Sequence, residues 1–226
     1  MAKLTFHGHA ACTLETDDGT RLVFDPFLAD NPMTDLTADD LEADYILVSH
    51  GHNDHLGDCV PLANRTGATV IGTVELVGFC AGKGVANVHG MNIGGGHDFP
   101  FGRVKLTPAN HGGSVAGDDG SHTTPCTGFL VDFGGKRFYH AGDTALIMDF
   151  QLLRGQVDVA LLPIGDNYTM GPADAARAVE MIQPEVVIPI HYSTWPVIDQ
   201  DPEEFKRMVG DAARVEIVPP GGSFEF

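Results

Sequence analysis

Basic side chains are scarce in this chain: of 226 residues, 13 are Lys or Arg and 31 are Asp or Glu, giving a formal charge of −18. Such a surface repels polyanions at long range, which argues against nucleic acid as substrate. Cysteine is sparse as well. Cys12, Cys59, Cys80 and Cys126 include no Cys-x-x-Cys pair, so neither a disulfide scaffold nor a thiolate zinc knot is expected. No apolar run approaches the roughly 18 residues of a membrane span. Met1 to Phe6 lack the apolar core of a signal peptide, and a cytoplasmic protein is the expectation. Gly94-Gly95-Gly96 has neither a lysine nor spaced glycines after it, which excludes a phosphate-binding fingerprint. The length suits one domain, 1–226, with a full core.

The informative stretch is Tyr45 to His55, Tyr-Ile-Leu-Val-Ser-His-Gly-His-Asn-Asp-His. Tyr45 to Val48 has the β-branched and aromatic content of a short buried strand, and Gly51 with Asn53-Asp54 breaks the chain at its carboxyl end. His50 and His52, two apart, project to one side of an extended backbone. Asp54 and His55 open the next segment and can face a second point. Without a cation, three imidazoles and a carboxylate crowded at a buried strand end would be poorly paired.

Other strands end in the same way. Arg103 to Pro108 delivers His111, Lys136 to His140 delivers Asp143, and Glu185 to Ile190 delivers His191. Strand patterns also cover Lys3 to Phe6, Ala11 to Thr16, Arg21 to Phe24, Ala68 to Ile71, Thr127 to Phe133, Val157 to Ile164 and Arg214 to Val218. Helices are predicted over Leu56 to Asn64, Val74 to Ala81, Ala145 to Leu153, Pro172 to Gln183 and Pro202 to Val209, and Ser114 to Pro125 reads as a mobile loop able to act as a lid. This order predicts an α/β (α+β) fold of two mixed sheets face to face, helices outside, with the loops meeting at one edge.

The donors divide into His50, His52 and His111 for one ion and Asp54, His55 and His191 for a second, with Asp143 able to bridge. Magnitudes favour metal chemistry over a lone base. Lowering a water's pKa from about 15.7 to about 7 is worth on the order of 12 kcal/mol at about 1.36 kcal/mol per unit. A positioned histidine base contributes roughly 3 to 5 kcal/mol.

Ser49-His50-Gly51-His52-Asn53-Asp54-His55, followed by His111, Ala141-Gly142-Asp143-Thr144 and His191, resembles the His-x-His-x-Asp-His signature of the metallo-β-lactamase superfamily. Four further stretches look like its UPF0173 group of metal-dependent hydrolases: Gly8-His9-Ala10, His140 to Thr144, Leu162 to Asp166 with Thr169 to Pro172, and His191 to Pro196. That group is similar to the ascorbate-6-phosphate lactonases. The resemblance implies a four-layer αββα sandwich, a homo-oligomer, and two divalent ions, Zn2+ first, with Mn2+, Ni2+ or Fe2+ as alternatives. The implied ligands are His50, His52, Asp54, His55, His111, Asp143 and His191. Asp25 matches the first-motif aspartate and either receives a ligand imidazole's second N–H or simply ends a strand. His9 is expected to face the substrate. Gly112-Gly113-Ser114 departs from the serines common after the third metal histidine of the group.

The expected activity is hydrolysis of an ester, lactone or phosphodiester of a small molecule by a metal-bridging hydroxide, with Asp54 and His9 as the catalytic side chains. A mono-iron dioxygenase and a metal-binding protein without turnover are the alternatives.

Overall fold

A computed structural model of the chain describes residues 1–117 and 120–226. The amino-terminal half runs β1 (Lys3–Gly8), β2 (Ala11–Glu15), β3 (Arg21–Phe24), β4 (Tyr45–Leu47), α1 (Asn53–Leu56), α2 (Cys59–Thr66), β5 (Thr69–Thr73), α3 (Val74–Gly82) and β6 (Val88–Met91). Next come β7 (Gly96–Phe99), β8 (Gly102–Pro108), β9 (Ser114–Gly117), β10 (Gly120–Thr123), β11 (Thr127–Phe133) and β12 (Lys136–His140). The remainder is β13 (Val159–Pro163), α4 (Pro172–Ile182), β14 (Val186–Ile190), α5 (Pro202–Val209), β15 (Arg214–Val215) and β16 (Ser223–Glu225).

Fourteen of the sixteen described strands form two seven-stranded sheets, ordered β16-β1-β2-β3-β4-β5-β6 and β15-β14-β13-β12-β11-β8-β7, and β9 and β10 pair separately. Side-chain parity sorts each strand between layers. In β14, Val186, Ile188 and Ile190 enter the core between the sheets, while Val187 meets the helical layer of α4 and α5. β4 does the same, with Leu47 inward and Ile46 outward beneath α2 and α3. The result is the expected αββα sandwich. No helix among the described residues is long and apolar enough to cross a membrane.

Strand direction explains why the functional loops share an edge. β3 and β4 are parallel, and β1, antiparallel to β2, which is antiparallel to β3, points the same way. In the second sheet β12, β13 and β14 are parallel, and β8 reaches the same direction through two antiparallel steps across β11. The carboxyl ends of β1, β4, β8, β12 and β14 therefore deliver His9, His50, His111, Asp143 and His191 to one rim of the molecule.

Several elements depart from the sequence expectation. Met148–Leu153 is a 3₁₀ helix where an α-helix was expected; Phe150 and Leu153, three apart, are its buried residues, and that spacing eclipses at three residues per turn. Residues 114–125 carry the antiparallel ribbon β9–β10 where a loop was expected; the lid expectation extends to 118 and 119, which lie outside the described residues. α2 starts at Cys59, which places Pro61 in the first turn, where its missing N–H leaves no helical bond unmade.

Candidate metal centre

The loop after β4 is fixed before any ligand is considered. Asp25, at the end of β3, is fully buried and held at φ 42°, a conformation unfavourable for a non-glycine residue. Its carboxylate accepts from the Ser49 backbone N–H at 2.7 Å, from Ser49 Oγ at 2.7 Å and from His55 Nδ1 at 2.8 Å. With Ser49 Oγ donating to Asp25, the 3.0 Å contact to His50 Nδ1 is a donation from the imidazole. Both rings thus turn Nε2 into the site. Of the two readings of Asp25, the ligand-orienting one is what the geometry displays.

The seven residues expected to bind metal all reach the same place. His50, His52 and His111 offer nitrogen atoms within 4.8 Å of one another, with His50 Nε2 2.9 Å and His111 Nε2 3.4 Å from His52 Nδ1. Asp54, His55 and His191 form a second group, joined by His9. Asp143 Oδ2 stands between them, 3.2 Å from His55 Nε2, 3.1 Å from His191 Nε2 and 3.5 Å from His111 Nε2. His55 Nε2, His191 Nε2 and Asp143 Oδ1 are buried without a hydrogen-bond partner among the described residues. Orphaned imidazole nitrogens and carboxylate oxygens, with no thiolate among them, are the donor chemistry of a divalent cation. The residues therefore fit the metal that the sequence implies.

Proton affinities follow the same geometry. Burial pushes His50 well below the ordinary histidine range, reinforced by the neighbouring charge of His55. Burial likewise lowers His111. His55 goes the other way: burial opposes its charge, but Asp143 and Asp25 outweigh burial and hold the imidazole protonated well above its usual range. Asp143 is itself buried, yet His191 and His55 keep it ionised far below the normal carboxylate value. Loading a cation at His55 must therefore expel a proton.

His9 ends β1 at φ 58° with its ring fully buried. Nε2 lies 3.2 Å from Asp54 Oδ2, Nδ1 lies 2.7 Å from Thr194 Oγ1, and its carbonyl accepts from the His191 N–H at 2.6 Å. His9 is thus a strut between the sheets, packed against His191 and Trp195 and sealed from solvent, where exposure to substrate was expected. Burial, with the neighbouring His191, lowers it to about 4, so it stays neutral near pH 7. His140 is a second strut: Nε2 donates to the Ala10 carbonyl at 3.0 Å and Nδ1 accepts from the Gly142 N–H at 3.1 Å. Gly142 has φ 61°, and an added Cβ would stand 2.7 Å from the Thr127 carbonyl and 2.9 Å from Ser49 Cβ. Only glycine fits the turn that presents Asp143.

A cavity of about 350 Å³ opens over the donors, walled by His52, Asn53, Asp54, His111, Asp143, His191 and Tyr168. Sequence reasoning named Asp166, Asn167, Thr169 and Met170 as candidate pocket residues. Tyr168 takes that place: Met170 is buried in the core under α4, while Asp166 and Asn167, at φ 59° and 47°, shape the loop. Thr194 and Trp195 were also missed as partners of His9, although both lie within the His191 to Pro196 motif. His7, His89, His97 and His122 stand outside the donor groups.

Residues 20–192 match the family model described as a beta-lactamase superfamily domain. A UPF0173 metal-dependent hydrolase of Heliobacterium modesticaldum is 51% identical over 98% of this chain and 96% of its own length. The chain belongs to the UPF0173 metal-dependent hydrolases. Another UPF0173 relative, from Desulforamulus reducens, is 51% identical over 97% of both chains. The solved structure of Igni18, a metallo hydrolase from Ignicoccus hospitalis, superposes with a TM-score of 0.88 at 37% identity, covering 100% of this UPF0173 chain and 99% of that one.

Proposed function

We propose that residues 1–226 form one catalytic unit that holds two divalent cations, Zn2+ before Mn2+, Ni2+ or Fe2+, and hydrolyses an ester, lactone or phosphodiester of a small molecule. The observation that carries this reading is the meeting of two donor groups at one carboxylate, Asp143, with unpartnered buried nitrogen and oxygen atoms facing each other. His50, His52 and His111 would hold one cation, Asp54, His55 and His191 the other, and Asp143 both. When bound, such a pair supplies a water acidic enough to act as a nucleophile near neutrality and a Lewis acid for the scissile oxygen.

The chain's own residues set the remaining conditions. Asp54 is 26% exposed at its side chain and lies on the cavity wall, so it can reach both solvent and substrate. Burial opposes its charge, but the His9 hydrogen bond and the nearby His55 hold it ionised well below the usual carboxylate range. An ionised carboxylate in this position accepts a hydrogen bond from a water on the cavity side and so orients it. His9, locked through Thr194, fixes the angle at which Asp54 does so. Asn53 and Tyr168 on the wall are placed to meet the polar part of the substrate.

The test is reconstitution of metal-stripped protein with Zn2+ or Mn2+, followed by assay against p-nitrophenyl acetate, a γ-lactone and bis(p-nitrophenyl) phosphate. Turnover of one class that is lost in Asp143→Ala, with the circular dichroism of the fold retained, is the expected result. Full turnover by Asp143→Ala would overturn the reading.

A further inference from the structure

The cavity over the donors continues away from them. It shares His52 and Asn53 with a second cavity of about 550 Å³, which in turn shares Phe79, Lys83 and Ser121 with a third of about 830 Å³. The three make one trough. It starts at Asp143 and His191, passes the start of α1, and runs on between α3 and the β9–β10 ribbon. Its middle is lined by Leu56, Val60, Phe79 and Val115, of which Leu56 and Val115 are otherwise buried in the core beneath α2 and α3. Its far end carries Glu75, Lys83 and His122 at a polar mouth.

We propose that this trough binds an apolar arm, an acyl or aryl chain, attached to the bond that the donors cleave. The proposal rests on the hydrolase reading above and names the class of its substrate. A cleavage site for compact polar molecules would need only the 350 Å³ space over the donors; in the stretch that follows, Leu56, Val60, Phe79 and Val115 offer surface to a chain of methylene or aromatic carbons beside a polar side of Asn53, Ser114, Ser121 and Lys83. Gly78 and Gly82 line the far cavity from α3, four residues apart and so on one face of the helix. Neither has a positive φ, and a Cβ built on either meets nothing within 4 Å, so no backbone requirement explains them. Glycine weakens a helix relative to alanine. Its effect here is to leave the trough wide.

The experiment measures, by calorimetry, the binding of linear alkyl carboxylates from acetate to decanoate, each below its micellar concentration, to the Zn2+-loaded full chain. Affinity is expected to rise about fourfold per methylene, the increment for burying one such group, until the trough is filled. Gly78→Leu, which suits a helix better than the glycine it replaces, is expected to stop the rise at a shorter chain. An affinity that does not depend on length, or a Gly78→Leu series that follows the parent, overturns the proposal. The same series on metal-stripped protein separates the two readings. A rise that survives stripping belongs to the trough even if no ester is turned over, which would sink the hydrolase reading alone; turnover of short esters with a flat series sinks the trough alone.

Discussion

Around Asp143 the inner donors His55 and His191 are sealed, His55 anchored through its ring and His191 through its backbone alone, whereas the outer donors His52 and His111 are partly exposed and held chiefly by one another. His55 is fixed through Asp25, which is itself fixed by Ser49. The backbone of His191 is tied to His9 at 2.6 Å, and Asp54 is braced by His9 and, behind it, Thr194. On the outer side, among the described residues, only His50 has a comparable support, from Ser49. Supporting bonds raise affinity by removing the need to order a ligand when the cation arrives. The inner position also has the carboxylate of Asp54, while the outer one is built from imidazoles with Asp143 at its margin. If both groups take a cation, the two sites are expected to differ in strength, with the inner one filling first.

Substitutions can separate the sites. Asp143→Ala, which removes the carboxylate common to both, is expected to lower kcat/KM by more than about 10³-fold and to reduce bound metal to less than one ion per chain, read by elemental analysis. Asp25→Ala touches no substrate, yet it leaves the His55 N–H and the Ser49 donors without their acceptor. It should weaken the inner cation by about 10- to 100-fold while a spectroscopic probe such as Co2+ still reports the outer set. His52→Ala should do the opposite, emptying the outer position first and keeping one tightly held ion. Equal losses from Asp25→Ala and His52→Ala would erase the distinction between the sites.

A smaller effect lies outside both groups. His7 is buried beside Thr13 and burial lowers it from 6.5 to about 4. A histidine kept neutral in the fold contributes fully above the unfolded pKa, and that contribution is lost as the pH falls from 6.5 towards 4, where the unfolded chain takes up the proton first. At about 1.36 kcal/mol per unit, the shift is worth about 3 kcal/mol when fully lost. The urea midpoint of metal-free protein should therefore fall over that window, and His7→Gln should make the fall shallower. A midpoint that stayed constant from pH 6.5 to 4 would contradict this.

How much of this was legible in the sequence depended on how local the cause is. The runs at Val159–Pro163 and Val186–Ile190 announce strands because both faces are buried, and each donor follows a strand end, so the rim could be read from spacing. Strands such as Gly96–Phe99 and Ser223–Glu225 could not. Their residues are polar or glycine-rich, and they are extended because β8 and β1 supply a hydrogen-bonding edge. Asp25 was visible as a motif residue, but its partner His55 lies thirty positions away and only the parallel pairing of β3 with β4 brings them together. His9 was visible as a motif residue, but its partners were not. Nothing in Gly8-His9-Ala10 reveals that Thr194, 185 residues later, closes over it.

Cation stoichiometry tests the proposed pair of sites most directly. Titration of metal-stripped protein with Zn2+, followed by calorimetry and elemental analysis, should show two ions per chain bound in two separable steps, with proton release in the first as His55 gives up its proton. Asp25→Ala should weaken that first step selectively. A single ion bound per chain, or two ions retained by Asp143→Ala, would contradict the arrangement of two donor groups around one shared carboxylate.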